Sequence, residues 1–231
     1  MNGVKEDASH IGTCCEGQGT RLYGSLNEYL FSTVAGGSGI YLDIYAPSNI
    51  TFGALTLAVD TQWPYGTAVA ITVSSSGGAA APPTDLALRM PSWVAAPSVP
   101  VALNGAPGAY VGTPGTYLHI SRAWGAWDRL EFELPMALRA HAYTGVTQLP
   151  PLARYSFTYG PVLLASTGAW DAGRHVEYLP GVDGAAPGAW LAPVPGAPLH
   201  WSVAGVPGAL FLPAWEVDQG FNFSAVPAFD N

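Results

Sequence analysis

Apolar residues recur along this chain with two different periods, and the switch between them divides it. Leu22, Tyr23, Leu26, Tyr29 and Leu30 fall at i, i+1, i+4, i+7 and i+8, an apolar stripe of helical period. Thr20 reads as the N-cap and Gly36-Gly37 as the stop, so the spacing predicts a helix over 20–35. A short helix with one apolar face is not stable alone and calls for a partner. From residue 39 the period is two: Ile40, Leu42 and Ile44, then Leu55, Leu57 and Val59, then Val69, Ile71 and Val73. Each of these runs predicts a half-buried strand. The pattern continues through Leu86-Leu88-Met90, Val99-Val101-Leu103, Leu118-Ile120 and Leu130-Phe132-Leu134, with Asn104-Gly105 as a hairpin turn. Residues 154–165 read as one strand bent at Gly160-Pro161. Short strands at 199–203 and 210–212 follow, while 74–84 reads as a flexible loop and 168–197 as a long irregular connection.

Composition strengthens the strand reading. The chain has 28 Gly and 21 Pro, and only 10% of its residues are charged, which favours short strands joined by turns over helices. The predicted fold class is mainly β: antiparallel β-sandwich domains preceded by one helix. A formal charge of −8 with eight Lys and Arg provides no basic footprint, so neither nucleic acid nor an anionic membrane surface is an expected partner. No apolar run reaches the length of a membrane span. The stretch from Met1 to Ile11 is polar and lacks the apolar core of a signal peptide. Two sequons, Asn49-Ile50-Thr51 and Asn222-Phe223-Ser224, point instead to a secreted full-length form.

The chemistry concentrates in Cys14-Cys15, the only two cysteines. Neighbouring Cα atoms lie ~3.8 Å apart, too close for an ordinary disulfide, so the thiols are reduced, metal-bound or catalytic. Two adjacent thiolates suit a soft metal such as zinc; the plainer reading is a pair of small buried apolar side chains ahead of a helix. His10 and Glu16 flank the pair and offer a compact local ligand set, against a reading as a solvated histidine and a carboxylate at a helix N-terminus. His119, His141, His175 and His200 are scattered without ligand spacing, and His119 is expected to face outward. Of the eight tryptophans, Trp124 and Trp127 flank a turn and are the pair most expected to be exposed, although packing in a sandwich is the commoner role. Glu131 and Glu133 alternate with apolar neighbours and read as a solvated face rather than a glycosidase carboxylate pair.

The run Cys14-Cys15-Glu16-Gly17-Gln18-Gly19-Thr20-Arg21, followed by 26–32 and by Gly39-Ile40-Tyr41-Leu42-Asp43-Ile44-Tyr45-Ala46-Pro47-Ser48, resembles the centre of glycoside hydrolase family 127. Leu88-Arg89-Met90-Pro91-Ser92-Trp93, Val101-Ala102-Leu103-Asn104-Gly105, 117–122, Leu134-Pro135-Met136 and 159–165 extend the resemblance in the family's order. It implies an (α/α)6 barrel carrying the active site, followed by β-sandwiches, and an activity like that of β-L-arabinofuranosidase. It also implies Cys14 as nucleophile and zinc ligand, Cys15 as second zinc ligand, and double displacement with retention through a thioglycosyl intermediate. The substrate implied is an L-arabinofuranoside or another plant or algal glycan. In such enzymes the remaining zinc ligands and the acid/base glutamate lie upstream of the pair, where this chain has 13 residues and no cysteine. The chain is therefore expected to be a C-terminal part that depends on an upstream barrel segment and is inactive alone. The expected divisions are 1–38 as a barrel remnant, 39–142 as a β-sandwich and 143–231 as a second one, with 39–46 free to pair in either.

Overall fold

The computed structural model describes residues 2–4, 14–33, 36, 39–75, 83–217 and 222–230. The chain forms two compact units, one spanning Gly12–Met136 and the other Ala137–Asn231 together with Met1–Ile11. The first strand, β1 (Asn2–Val4), belongs to the latter unit. The loop expected over 74–84 lies largely outside the described residues.

The Gly12–Met136 unit opens with α1 (Cys14–Gly24), the single turn α2 (Asn27–Leu30) and β2 (Phe31–Thr33). The one helix expected over 20–35 is thus corrected: helix begins at Cys14, breaks at 25–26 and gives way to strand at Phe31. At the break the Ser25 hydroxyl donates to the Arg21 carbonyl at 2.9 Å. Phe31, Ser32 and Thr33 pair antiparallel with Leu42, Tyr41 and Ile40, and Phe31 packs on the core. Aromatic and β-branched residues fit a pleated surface, and pairing to a neighbouring strand overrides the weak helical pattern.

The strands that follow are β3 (Gly39–Leu42), β4 (Ser48–Phe52), β5 (Leu55–Thr61), β6 (Ala68–Ser75) and β7 (Thr84–Met90). Next come β8 (Val99–Leu103), β9 (Ala106–Gly112), β10 (Thr116–Arg122) and β11 (Asp128–Glu133). They make a four-stranded sheet, β10-β7-β3-β2, and a six-stranded sheet, β4-β5-β6-β11-β8-β9. All pairs are antiparallel except β3–β7, which is parallel. Because β3 pairs with β2 and β7, this segment belongs to the unit's own sandwich and not with strands beyond 154. Ile40, Leu42, Leu86, Leu88 and Met90 from one sheet meet Leu57, Ile71, Val73, Val101 and Leu130 from the other in a single core. Every second residue of β11 is buried, so the two-residue period read from the sequence is the period of burial. The β8–β9 turn is the expected one: Asn104 and Gly105 both have positive φ, 52° and 79°, the geometry that a two-residue hairpin favours.

The second unit contains β12 (Leu138–Ala142), β13 (Ala153–Tyr159), β14 (Val162–Thr167), β15 (Trp170–Asp171) and β16 (Val176–Leu179). It ends with β17 (Leu191–Pro193), β18 (Trp201–Val203), β19 (Leu210–Pro213), β20 (Asn222–Ser224) and β21 (Ala228–Phe229). The sheet order is β15-β16-β21-β13-β14-β19-β18-β17, with β12 on β13 and the β1–β20 pair beside β14. Strands from both ends of that order supply one core, in which Phe157 touches Trp190, Phe211 and Phe229 at ring-centroid distances of 5.7, 5.1 and 5.6 Å. The sheet therefore folds over on itself.

Two sequence expectations change in this unit. Residues 154–165 are not one bent strand but the hairpin β13–β14, with Tyr159 paired to Val162 and Gly160 at φ 56°. The stretch 168–197 is not irregular throughout; it holds β15, β16 and β17, strands too short for a periodic signal. β12 pairs with β13, and the division by contacts falls ahead of Ala137.

Among the described residues of this unit, Arg154 and Glu177 are the buried charges. Arg154 is 6% exposed, and its guanidinium donates to the carbonyls of Thr147 and Val226 and lies over the Tyr143 ring. Glu177 is fully buried; its Oε2 accepts from the Ala169 N–H at 2.7 Å, while Oε1 has no hydrogen-bond partner among the described residues. Burial pushes the Glu177 carboxyl up to about 7, against partial relief from Ala169 and Ser166. A carboxyl raised in the folded state binds its proton more tightly there than in the unfolded chain. Its stabilising effect is complete below about 4.5 and is lost as pH rises through about 7. Unfolding measured at pH 5 and pH 8 is expected to show a loss on the order of 2 kcal/mol that Glu177→Gln abolishes.

Candidate functional site

Cys14 and Cys15 are the first two residues of α1. The first turn of a helix has unpaired backbone N–H groups and the positive end of the macrodipole, which favours thiolate over thiol. The cysteine side chains lie outside the described part of the structure, as do the Glu16 side chain and the whole of His10. Zinc suits the pair in kind, since thiolate sulfur is a preferred ligand, and the pair offers two of the four positions of a tetrahedral site. Among the described residues, no group of three or more His, Cys, Asp or Glu side chains comes together.

The apolar stripe predicted on this segment exists but is not covered. Leu22, Tyr23, Leu26 and Tyr29 are 54%, 81%, 43% and 53% exposed, and only Leu30 is buried. Leu30 forms the junction: its carbonyl accepts from the backbone N–H groups of Asp43 and Ile44 at 2.9 and 3.2 Å. The helical segment therefore hangs from β2, an edge of the four-stranded sheet.

A polar line across that sheet holds the junction. The Asp43 carboxylate accepts from the Ser32 hydroxyl at 2.7 Å on one oxygen and from the Tyr117 hydroxyl on the other. Arg89 donates to the Asp43 carbonyl at 3.1 Å, and the buried Tyr45 hydroxyl donates to the Arg89 carbonyl at 2.7 Å. Ser32, Asp43, Arg89 and Tyr117 thus tie β2, the end of β3, β7 and β10 together. Burial and the hydrogen bond to Asp43 push the Tyr117 phenol up to about 12, so it donates throughout the physiological range. Tyr41 packs edge-on against Tyr117 and His119, at centroid distances of 5.1 and 5.7 Å.

The remaining singled-out residues are placed as follows. His119 faces outward as expected, with Nδ1 2.7 Å from Asp85 Oδ2. Trp124 and Trp127 are not an exposed pair: Trp124 is fully buried with its indole N–H on the Thr84 carbonyl at 2.9 Å, and Trp127 is 77% exposed. Burial fits Trp124 because the backbone satisfies its polar atom. Glu131 and Glu133 lie on the solvated face, as their alternation indicated. Asp128 is buried; burial alone would raise its carboxyl, but the Gly125 N–H, the Asn104 amide and Arg122 hold it below the usual carboxylate range. The Asp43–Tyr117 contact was not read from sequence, because the partners are 74 positions apart. Its only signal there was a polar residue in the alternation Tyr41, Asp43, Tyr45.

Residues 39–136 match the family model described as beta-L-arabinofuranosidase, GH127 middle domain. One solved structure, titled glycoside hydrolase, aligns over 100% of this chain and 44% of its own length, with TM-score 0.66 and 15% identity. A GH127 beta-L-arabinofuranosidase from Geobacillus stearothermophilus T6 aligns over 94% of this chain and 37% of its own length, with TM-score 0.63 and 17% identity. A GH127 beta-arabinofuranosidase aligns over 67% of this chain and 26% of its own, with TM-score 0.54 and 20% identity. The chain thus spans less than half the length of these structures. No curated protein matches it.

Removing the Asp43 carboxylate leaves Ser32 and Tyr117 without their acceptor. Asp43→Ala is expected to destabilise this unit by about 1–3 kcal/mol and to speed amide hydrogen exchange over 27–33, with Tyr117→Phe acting in the same direction by about 1 kcal/mol. Thermal unfolding and exchange read by mass spectrometry check both.

Proposed function

With a GH127 middle domain at residues 39–136, the chain belongs to glycoside hydrolase family 127, and we propose that it is the C-terminal part of a retaining glycosidase acting on an L-arabinofuranoside or a related plant or algal glycan. The match over 39–136 is the observation that carries this reading, and the Cys14-Cys15 pair immediately ahead of it supplies the chemistry. Cys14 is the proposed nucleophile. Its sulfur attacks the anomeric carbon and the glycosidic C–O bond breaks, with a proton delivered to the leaving oxygen by an acid from the upstream barrel segment. Water then cleaves the resulting thioglycoside, and two inversions retain the configuration.

Zinc is the proposed metal, with Cys14 and Cys15 as two of its ligands; when bound, it supplies charge that keeps these thiols ionised. The position of both residues in the first turn of α1 supports the same ionisation without the metal. The exposed stripe of Leu22, Tyr23, Leu26 and Tyr29 is the proposed seat of the upstream segment, since it is the apolar face of a helix left open to solvent. By this reading the chain alone is inactive. A stand-alone carbohydrate-binding or structural module, the rival reading, does not account for the cysteine pair at the helix start.

The test joins this chain to its upstream barrel segment and assays an aryl β-L-arabinofuranoside. Hydrolysis with retention is expected, with Cys14→Ser lowering kcat by at least about 10³-fold and Cys15→Ser reducing zinc content measured by elemental analysis. Undiminished turnover by Cys14→Ser removes it as the nucleophile.

A further inference from the structure

The outer face of the six-stranded sheet carries a groove of about 680 Å³ that neither the cysteine pair nor the polar line on the four-stranded sheet uses. Its floor is made of methyl groups, Ala68, Ala70 and Ala102, where an exposed sheet face would ordinarily carry longer side chains. Pro100 and Pro107, from the β8–β9 hairpin, wall one side. The register of the sheet explains this arrangement. Asp60 and Glu131 both pair with Ala70, from the strands on either side of it, and Glu131 also pairs with Ala102. Neighbouring strands are ~4.8 Å apart, so the two carboxylates stand roughly 10 Å apart at their Cα atoms across a flat apolar strip. Two residues along, Ala68 pairs with Glu133, and the same alanine-and-carboxylate step repeats after ~6.8 Å.

Two of the three carboxylates are held in place before any ligand arrives. Glu131 Oε1 accepts from Arg129 Nε at 3.0 Å, Arg129 also donates to the Thr72 hydroxyl at 3.3 Å, and Glu133 accepts from the Thr67 hydroxyl. Asp60 adds a further carboxylate on the opposite side. Three carboxylates against one guanidinium repel phosphate, sulfate and uronate groups. Asp60 stands on β5 and Glu131 and Glu133 two residues apart on β11, and among the described residues they do not gather as a metal cluster. A ligand with many hydroxyl donors, no negative charge, and apolar C–H faces that can lie on alanine and proline suits this lining. A repeated step along the strands suits a repeated unit.

We propose that this groove is a binding site for a neutral, hydroxyl-rich glycan chain, which lies along β6 and β11 with successive rings over Ala70 and Ala68 and hydroxyls donated to Asp60, Glu131 and Glu133. The ligand class rests on the glycosidase reading, whereas the site itself rests on the groove. Its role is to hold a polymeric substrate on the enzyme, and it takes no part in bond cleavage.

The test measures binding of linear neutral arabino-oligosaccharides to the full chain by calorimetry and by chemical-shift changes of the groove amides, with oligogalacturonate as the anionic control. Saturable binding of the neutral oligomers is expected, with affinity rising from dimer to tetramer and no binding of the control. Ala70→Tyr, which fills the floor from a solvent-facing position, is expected to weaken binding at least tenfold, and Glu131→Ala several-fold, with thermal unfolding unchanged. Absence of saturable binding to the unaltered chain overturns the proposal, as does unchanged affinity in both variants. The two readings fail separately: turnover of an aryl monosaccharide by the chain joined to its barrel reports on Cys14 and is expected to be unaffected by Ala70→Tyr. Turnover without oligosaccharide binding therefore rejects the groove alone, and groove binding without Cys14-dependent turnover rejects the nucleophile alone.

Discussion

The apolar contact between the four- and six-stranded sheets is the constraint on which the Gly12–Met136 unit depends. Leu57, Ile71, Leu86, Leu88 and Leu130 are fully buried in it, from strands of both sheets. Side chains alternate across a strand, so this contact fixes the register of every strand that enters it. A one-residue slip of β11 would bring Glu131 and Glu133 into the core and expel Leu130 and Phe132. The same constraint therefore fixes the solvated face, including the alanine floor between Asp60 and Glu131. A groove on the outside of the sheet is a consequence of packing on its inside.

The helical segment obeys a different rule. It contributes Leu30 to burial and leaves the rest of its stripe in solvent, so local propensity and core packing do little to hold it. Two glycines, Gly17 and Gly19, weaken α1 further. Its position comes from β2 pairing with β3, from the Leu30 carbonyl and from the carboxylate of Asp43, all at one sheet edge. A catalytic residue carried on such a segment would be well placed by its root and poorly supported along its length. The open stripe is where further support would act.

In the second unit the dominant element is the aromatic cluster around Phe157, with Trp190, Phe211 and Phe229. It joins β21, β13 and β19 of one sheet to Trp190, just ahead of β17, and large rings in edge-to-face contact bridge distances that aliphatic side chains would leave open. The Trp190 indole N–H is satisfied by the Asp183 carbonyl at 2.6 Å, so the ring enters the core without an unmet donor. Glu177 is the counterexample, a buried carboxyl with one oxygen unpaired among the described residues. That imbalance makes this unit sensitive to pH near neutrality.

The sequence by itself determined the β class, most of the longer strands, the face of each that is buried, and the Asn104-Gly105 turn, because alternation and turn chemistry are local. It also singled out Cys14-Cys15, and it carried the family resemblance that the match over 39–136 bears out. It did not determine where the helix ends, since Phe31 to Thr33 take strand geometry only when β3 is beside them. Nor did it determine the strands within 168–197, which are two to four residues long and exist through their neighbours. The polar line through Asp43 and the groove over Ala70 belong to the tertiary structure alone. Their members are distant in sequence, and only the pairing of strands brings Tyr117 to Asp43 and sets Asp60 and Glu131 on either side of one alanine. Local pattern decides which way a side chain points; contact across the sheet decides what it meets.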